Sequence, residues 1–143
     1  MHRPKLLCVD DDPQMCGMYE RVLGSHGYEV VTAEGASEAL HVFHSKDSQI
    51  DAVISDYEMP GMNGEAVAAT IKAMDPKMPV IIFSGNTMVS QRCRRYADAF
   101  CDKAGNRDRL LGTIQRLLHS KRISVLQPPP RVQASHHERR TVA

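Results

Sequence analysis

Short apolar runs alternate with segments of helical pattern along most of the chain, and this alternation constrains the fold more than any other feature. Each of five apolar runs is short enough to be a strand and is followed by apolar residues at helical spacing. The predicted strands are Lys5–Val9, Tyr28–Ala33, Ile50–Ser55, Pro79–Ser84 and Asp98–Asp102. Strict alternation favours an α/β fold, a doubly wound parallel sheet with helices on both faces.

The predicted helices fill the segments between and after these strands. The first has Asp12 at its N-cap and Pro13 at its first position, and it ends by Gly27. The other helices are expected at 35–45, at 65–74, at about 88–96 and from about Asn106 onward.

The length of the chain suits one domain and a tail. With 143 residues, 42% of them apolar, the chain can bury one core and leaves little for a second. We expect a domain at 1–122 and a tail at 123–143, where QPPPRVQASHHERRTVA is typical of disorder. The formal charge of +1 gives no global field for nucleic acid, although residues 120–143 hold five Lys and Arg against one Glu. Two adjacent histidines, His136 and His137, do not by themselves make a metal site.

Cysteine usage and hydropathy indicate a cytoplasmic protein. No two of the four cysteines form a CxxC pair, so a zinc site is not expected. Cys8 and Cys101 lie in apolar runs, where a thiol behaves as a small hydrophobe in a reducing compartment. The run Leu6–Val9 is too short for a signal peptide, and no run approaches the ~20 apolar residues of a membrane span.

Polar and charged side chains follow the predicted strands at the points where the strands end. Strand one leads into Asp10, Asp11 and Asp12, strand three into Asp56, strand four ends at Ser84, and strand five leads into Lys103. Because the carboxyl ends of parallel strands meet at one edge of the sheet, we expect these side chains to converge there. Asp51 begins the same strand that Asp56 follows, so it should lie at the opposite edge and take no part.

An acidic cluster of this kind suits magnesium and phosphoryl transfer. Crowded carboxylates repel one another unless a cation intervenes, and Mg²⁺ prefers a few carboxylates plus water. With the ion bound, Asp56 would attack a phosphoryl donor and become an aspartyl phosphate. Lys103 and the hydroxyl of Ser84 would then neutralise charge on the transferred group.

Four segments resemble the receiver domain of bacterial response regulators, the CheY-like domain: LLCVDDDP, AVISDYEMPGMNG, PVIIFSG and DAFCDKA. The similarity covers about residues 4–119, and its most specific part is the third-strand motif with Pro60 and Gly64. It implies a flavodoxin-like sheet with strand order 2-1-3-4-5. It also implies a switch, in which a sensor histidine kinase or phosphotransfer protein donates a phosphoryl group. The face formed by helix four, strand five and helix five then rearranges to bind a downstream protein.

The resemblance implies a role for each residue of the acidic cluster. Asp56 is the implied phosphoacceptor. Asp10 and Asp11 are implied to hold Mg²⁺ together with Asp56, and Asp11 is a direct ligand. Glu58 is implied to offer its backbone carbonyl to the metal.

Three further residues are implied to sense the phosphoryl group, and one of them, together with Ala104, departs from the family pattern. Lys103 pairs with the phosphate, Ser84 is the switch hydroxyl and Phe100 is the switch aromatic. Phe100 lacks the hydroxyl of the tyrosine often found there, so its switching would depend on packing. Ala104 stands where the family usually has Pro, often after a cis bond. Because a cis bond to a non-proline residue costs about 3 kcal/mol, we expect either a trans bond with a shifted Lys103 or a strained cis bond.

A third departure concerns the fourth helix. The interval from Ser84 to Lys103 is shorter than the usual family spacing by about one helical turn. We therefore expect a short or partly unwound fourth helix. Its Arg92, Arg94 and Arg95 form either a solvated face or a surface for an acidic partner.

Two other functions remain open from the sequence. One is a phosphohydrolase of the haloacid dehalogenase type, in which Asp10 and Asp12 would be the DxD pair and Asp10 the nucleophile. The other is a degenerate receiver that binds partners without taking phosphate. We expect a stand-alone receiver that is not a turnover enzyme, with no DNA-binding domain in this chain, no membrane partner, and homodimerisation left open.

Overall fold

The five predicted strands occur in the predicted order, and all but the first begin one or two residues later than predicted. The structure is a computed structural model that describes residues 2–45, 48–86, 88 and 95–126. All neighbouring strands are parallel, and the order is β2-β1-β3-β4-β5. The strands are β1 Lys5–Val9, β2 Glu29–Ala33, β3 Ala52–Ser55, β4 Val80–Ser84 and β5 Ala99–Asp102. The prediction of a flavodoxin-like, doubly wound α/β sheet is confirmed.

Four helices flank the sheet in the described part of the chain. They are α1 Pro13–Met18, α2 Ala36–His44, α3 Gly64–Met74 and α4 Arg107–Leu126, which is the last helix and the fifth of the sequence prediction. Asp12 caps α1 by accepting a hydrogen bond from the backbone N–H of Gln14, and Pro13 opens the helix, as predicted. After Met18 the chain continues as a π-helical segment, Tyr19–Leu23, which the apolar spacing does not predict.

The apolar residues form a core on each face of the sheet. Side chains of a strand alternate between its two faces, so β1 sends Leu6 and Cys8 to one side and Leu7 and Val9 to the other. The first side packs against α1, the π-helical segment and α4, and the second packs against α2 and α3. Both faces of the central strands are therefore buried, which explains their unbroken apolar runs.

Asp51 lies at the amino-terminal edge of the sheet, as predicted. Its carboxylate accepts a hydrogen bond of 2.7 Å from the backbone N–H of Lys5, the first residue of β1. The backbone carbonyl of Asp51 accepts another from Lys121 Nζ on the last helix. These contacts place Asp51 at the opposite end of the strands from Asp56.

Several sequence predictions fall wholly or partly outside the described residues. Most of the fourth predicted helix, including Arg92 and Arg94, lies outside them, as do residues 127–143 with His136 and His137. The last helix runs to Leu126, and the predicted boundary at residue 122 therefore falls within it. In the described ranges no helix is long and apolar enough to cross a membrane.

Candidate phosphoacceptor and metal site

The ends of β1 and β3 bring three carboxylates together. The backbone N–H of Asp56 donates to the carbonyl of Val9 at 2.9 Å, so the residue after β3 lies beside the end of β1. One carboxylate oxygen from each of Asp10, Asp11 and Asp56 lies within 4.8 Å of the other two. Asp10 and Asp56 are buried and Asp11 is exposed. A hard cation with oxygen ligands, of which Mg²⁺ is the common example, fits this set.

Lys103 supplies a positive charge to the same cluster. Its Nζ lies 2.7 Å from Asp10 Oδ2 and 3.3 Å from Asp56 Oδ2. The backbone N–H of Lys103 donates to the carbonyl of Ser84, which ties the end of β5 to the end of β4. No peptide bond among the described residues is cis, so Lys103 joins Ala104 through a trans bond, and its side chain still reaches both carboxylates.

Burial and charge both shift the pKa values of this cluster. Burial raises the pKa of the Asp56 carboxyl, and the charge of Asp10 adds to this. Lys103 and the hydrogen bond from the Tyr57 N–H oppose the shift, and the net pKa is above its usual value. Burial lowers the pKa of Lys103, but its hydrogen bond and ion pair with Asp10, supported by Asp56, raise it overall. Lys103 therefore stays protonated beside the two buried carboxylates.

Ser84, Asn86 and Glu58 are linked by hydrogen bonds that join the loops after β3 and β4. Ser84 is only 2% exposed, and its Oγ accepts a hydrogen bond from the backbone N–H of Asn86 at 3.2 Å. Asn86 Nδ2 donates to Glu58 Oε1 at 2.8 Å, which joins the loop after β4 to the loop after β3. Sequence reasoning missed Asn86, because no local pattern marks a side chain that bridges two loops.

Gly64 allows the loop after β3 to fold back against Asp56. The N–H of Gly64 donates to the carbonyl of Tyr57 at 2.7 Å. A Cβ atom on Gly64 would lie 2.4 Å from the Asp56 carbonyl oxygen, a distance that real Cβ contacts do not reach. The next helix then starts at once, with Asn63 accepting from the N–H of Ala66 as its N-cap. The motif's glycine is therefore required by close approach to the backbone of Asp56 and Tyr57.

Phe100 connects the site to β5 through packing. It is half-buried and packs with Ala97 against the cluster of Tyr57 and Ile82. Tyr57 directly follows Asp56, and its N–H donates to Asp56 Oδ1 at 2.8 Å. Tyr57 therefore contacts both the carboxylate of Asp56 and the cluster against which the ring of Phe100 packs.

The placement of Asp12 bears on the phosphohydrolase alternative. Asp12 Oδ1 accepts from the N–H of Gln14, and this caps α1. Asp12 is not one of the three carboxylates that meet in the cluster described above. Asp10 is fully buried and holds Lys103 Nζ at 2.7 Å, whereas Asp56 is 8% exposed and lies 3.3 Å from the same nitrogen. The greater exposure and looser ion pair favour Asp56 over Asp10 as the carboxylate open to a donor.

Comparison with known proteins decides the family. The model of the response regulator receiver domain matches residues 6–115. The chain belongs to the response regulator receiver domain family. The receiver resembles the transcriptional regulatory protein GlrR of Escherichia coli K12, with 43% identity over 86 residues. That match covers 59% of this chain and 19% of GlrR, so the receiver spans only about a fifth of this curated relative.

Solved receiver structures share the whole architecture. The response regulator TrrA of Thermotoga maritima, solved in complex with Mg²⁺-BeF, is 32% identical, with a TM-score of 0.75 over 80% of this chain and 98% of that one. A CheY-like receiver domain protein of Methanospirillum hungatei JF-1 is 25% identical, with a TM-score of 0.76 over 86% of this chain and 99% of that one. The acidic cluster of this receiver fits the Mg²⁺ expected from the sequence.

Proposed function

We propose that this receiver accepts a phosphoryl group on Asp56, with Mg²⁺ held by Asp10, Asp11, Asp56 and the backbone carbonyl of Glu58. The observation that carries the proposal is the meeting of three carboxylates and Lys103 at one edge of the sheet. The donor is a sensor histidine kinase or a phosphotransfer protein, the partners of this family. The free thiols of Cys8, Cys16 and Cys101 suit action in a reducing cytoplasm.

The chemistry is a displacement at phosphorus. An oxygen of Asp56 forms a bond to phosphorus while the bond from phosphorus to the donor's histidine nitrogen breaks, and the electron pair stays on that nitrogen. Bound Mg²⁺ supplies neutralisation of charge on the phosphoryl oxygens. Lys103, already 3.3 Å from Asp56 Oδ2, supplies a second positive charge at the acceptor. The Tyr57 N–H holds Asp56 Oδ1 and so fixes the direction of the carboxylate.

The output of the receiver is a change in surface rather than a released product. Ser84 and Lys103 move toward the phosphoryl group, and Phe100, which packs against Tyr57 and Ile82 in this structure, changes its packing. The two states differ in the contacts that the phosphoryl group makes, which is the requirement for a population shift. The altered face around β5 and the last helix then binds a downstream protein.

Location of the adduct tests the proposal. The receiver is treated with acetyl phosphate and Mg²⁺, and the modified residue is identified by peptide mass spectrometry. We expect one phosphoryl group on Asp56, none on Asp56→Asn, and none without Mg²⁺. Asp51→Asn is the matched control, because it removes a carboxylate from the same strand at the opposite edge, and it should be labelled as the wild type is.

Two outcomes would replace this function with another. A label on Asp10, with release of phosphate over many turnovers, would indicate the phosphohydrolase. No label on any residue, together with partner binding that Asp56→Asn leaves unchanged, would indicate a degenerate receiver.

A further inference from the structure

We propose that the last helix binds an acidic helix of a partner protein through one exposed stripe, here called the basic face: Arg109, Gly112, Arg116, His119 and Ile123. This inference deepens the proposed function, because it names the chemical class of partner that part of the output surface would take. The basic face is a feature of the helix itself and does not depend on the state of Asp56.

The last helix carries an excess of positive charge that the domain does not neutralise. Between Arg107 and Leu126 there are five Lys and Arg and one acidic residue, Asp108. Four of the five are exposed arginines: Arg107, Arg109, Arg116 and Arg122. Among residues that the structure describes, the cations in ion pairs are His2, Lys5, Lys72 and Lys103, and no arginine is among them. Among the described residues, these four arginines therefore make no ion pair that would compete with a partner for their charge.

Helical spacing aligns the charges with one exposed apolar side chain. Arg109, Arg116 and Ile123 are seven residues apart, so they lie along one side of the helix at steps of about 10 Å. The other side is buried against the sheet through Leu110, Leu111, Ile114 and Leu118. Ile123 is 40% exposed, one of three large apolar side chains in the described residues with this degree of exposure.

Gly112 gives an independent observation on the same stripe. A Cβ atom at this position would meet no heavy atom within 4 Å, and Gly112 is not among the glycines with positive φ. Neither packing nor backbone conformation therefore requires glycine there, although glycine weakens a helix relative to alanine. Because Gly112 has no side chain, it leaves a shallow notch between Arg109 and Arg116, where another backbone can approach the helix closely.

These features together select an acidic protein helix as the occupant. Arginine pairs with carboxylates through two parallel hydrogen bonds, and a partner helix with carboxylates seven residues apart repeats the spacing of Arg109 and Arg116. Ile123 offers an apolar contact, and the notch at Gly112 admits a helix backbone; both suit a protein more than a polyanion. A second copy of this chain would set arginine against arginine across the same face, which repulsion disfavours.

Binding of defined probes tests the inference. The probe is a synthetic 21-residue amphipathic helix with glutamates seven residues apart beside a leucine stripe. A second peptide, with lysine in place of each glutamate, is the charge control, and a 20-base-pair DNA duplex is the polyanion control. Affinity is measured by fluorescence anisotropy on the full chain at low and high salt, and the site is mapped by amide chemical shifts.

The variants separate the basic face from the rest of the helix. Arg109→Ala with Arg116→Ala should weaken binding of the acidic peptide by about tenfold or more, because two desolvated charge pairs are lost. Arg107→Ala removes an equal charge about 200° around the helix from Arg109 and should change the affinity less than about twofold. Gly112→Ala should raise the thermal midpoint of the domain yet weaken the peptide, an opposition that a purely structural role would not produce.

Three other outcomes would show that the basic face does not bind an acidic helix. The inference is overturned if the acidic peptide fails to bind, if it binds the double variant as well as the wild type, or if DNA alone shifts the amides of this stripe. The same titration on Asp56→Asn separates the two proposals. Retained binding there, without a response to beryllofluoride and Mg²⁺ in the wild type, would count against the proposed function and support the basic face.

Discussion

Burial raises the pKa of the Asp56 carboxyl, and the charged neighbours of Asp56 act on that pKa in both directions. The side chain is buried beside Asp10, which raises its pKa, and only Lys103 and the Tyr57 N–H favour the ionised form. A carboxyl with a raised pKa in the folded state gives a stability contribution that is lost as pH rises through that pKa. At neutral pH, without a divalent cation, ionised Asp56 therefore lowers the free energy of unfolding.

Asp56→Asn should consequently raise stability in the metal-free protein. The amide keeps the shape of the side chain and removes the buried charge, while Lys103 retains its bond to Asp10. We expect a higher urea midpoint for the variant in EDTA at pH 7, and a difference that shrinks as the pH is lowered and wild-type Asp56 gains a proton. Added Mg²⁺ should raise the wild-type midpoint and leave the variant nearly unchanged. A variant less stable than the wild type in EDTA would contradict this reading of Asp56.

Tyr19 presents a second buried polar group with an unusual environment. The side chain is fully buried, its ring lies 6.2 Å from that of Phe83, and its hydroxyl has no hydrogen-bond partner among the described residues. Tyr19→Phe removes only that hydroxyl. We expect the free energy of unfolding to rise by about 1 kcal/mol, because an unsatisfied buried hydroxyl is destabilising.

Tyr57→Phe is the matched control for this test, measured by urea denaturation under the same conditions. The Tyr57 hydroxyl accepts a hydrogen bond from Asn63 Nδ2 at 3.5 Å, so its loss should lower stability slightly or leave it unchanged. A loss of stability in Tyr19→Phe would show that the hydroxyl has a partner, such as a buried water.

Among the elements, the loop between β3 and α3 shows most directly how a sequence motif positions the residues of the candidate site. The end of β3 delivers Asp56, Gly61 turns the chain with a φ of 88°, and Asn63 caps the helix that follows. The hydrogen bond from the N–H of Gly64 to the carbonyl of Tyr57 closes this turn and brings Gly64 against the carbonyl of Asp56. The loop thus fixes the backbone of Asp56, the proposed acceptor, and the carbonyl of Glu58.

Gly64→Ala should destabilise the domain by about 1–3 kcal/mol, since a Cβ atom has no room and the turn must shift. Gly24→Ala is the control, because Gly24 has helical dihedral angles and open space around a Cβ atom. That variant should gain about 0.5–1 kcal/mol from helix propensity. Urea denaturation of both measures the effect, and equal stabilities for the two variants would refute the steric argument.

Across the domain, the candidate site and a set of structural hydrogen bonds lie at opposite edges of the sheet. The acidic cluster and Lys103 lie at the carboxyl edge, while Asp51 and its partners Lys5 and Lys121 join elements at the opposite edge. The apolar residues buried on the two faces of the sheet lie between these two edges. The sequence of the last helix also places its polar face away from this core.

Removal of residues 127–143 should leave this architecture intact. The described core draws on the chain only as far as Leu118, within the last helix. A variant that ends at Leu126 should keep the thermal midpoint of the full chain and its response to Mg²⁺. A lower midpoint by differential scanning calorimetry would show that residues 127–143 pack on the domain, contrary to the prediction of a disordered tail.

The amino-acid pattern alone determined the class of fold and the edge where the chemistry lies. Alternating strands and helices leave few arrangements besides a parallel sheet, and in such a sheet all residues that follow strands share one edge. That reasoning needs only local patterns, so it placed Asp10, Asp56, Ser84 and Lys103 together. The same reasoning predicted that Asp51 lies at the opposite edge of the sheet.

The contacts among these residues follow from the three-dimensional packing and not from local patterns. The bond from Lys103 to Asp10 joins residues 93 positions apart, and the bridge from Asn86 to Glu58 joins two loops. The unpartnered hydroxyl of Tyr19 and the steric limit at Gly64 likewise depend on what packs against them. Such contacts arise from packing between distant segments, whereas hydrophobic periodicity reports only which way a side chain faces along its own strand or helix.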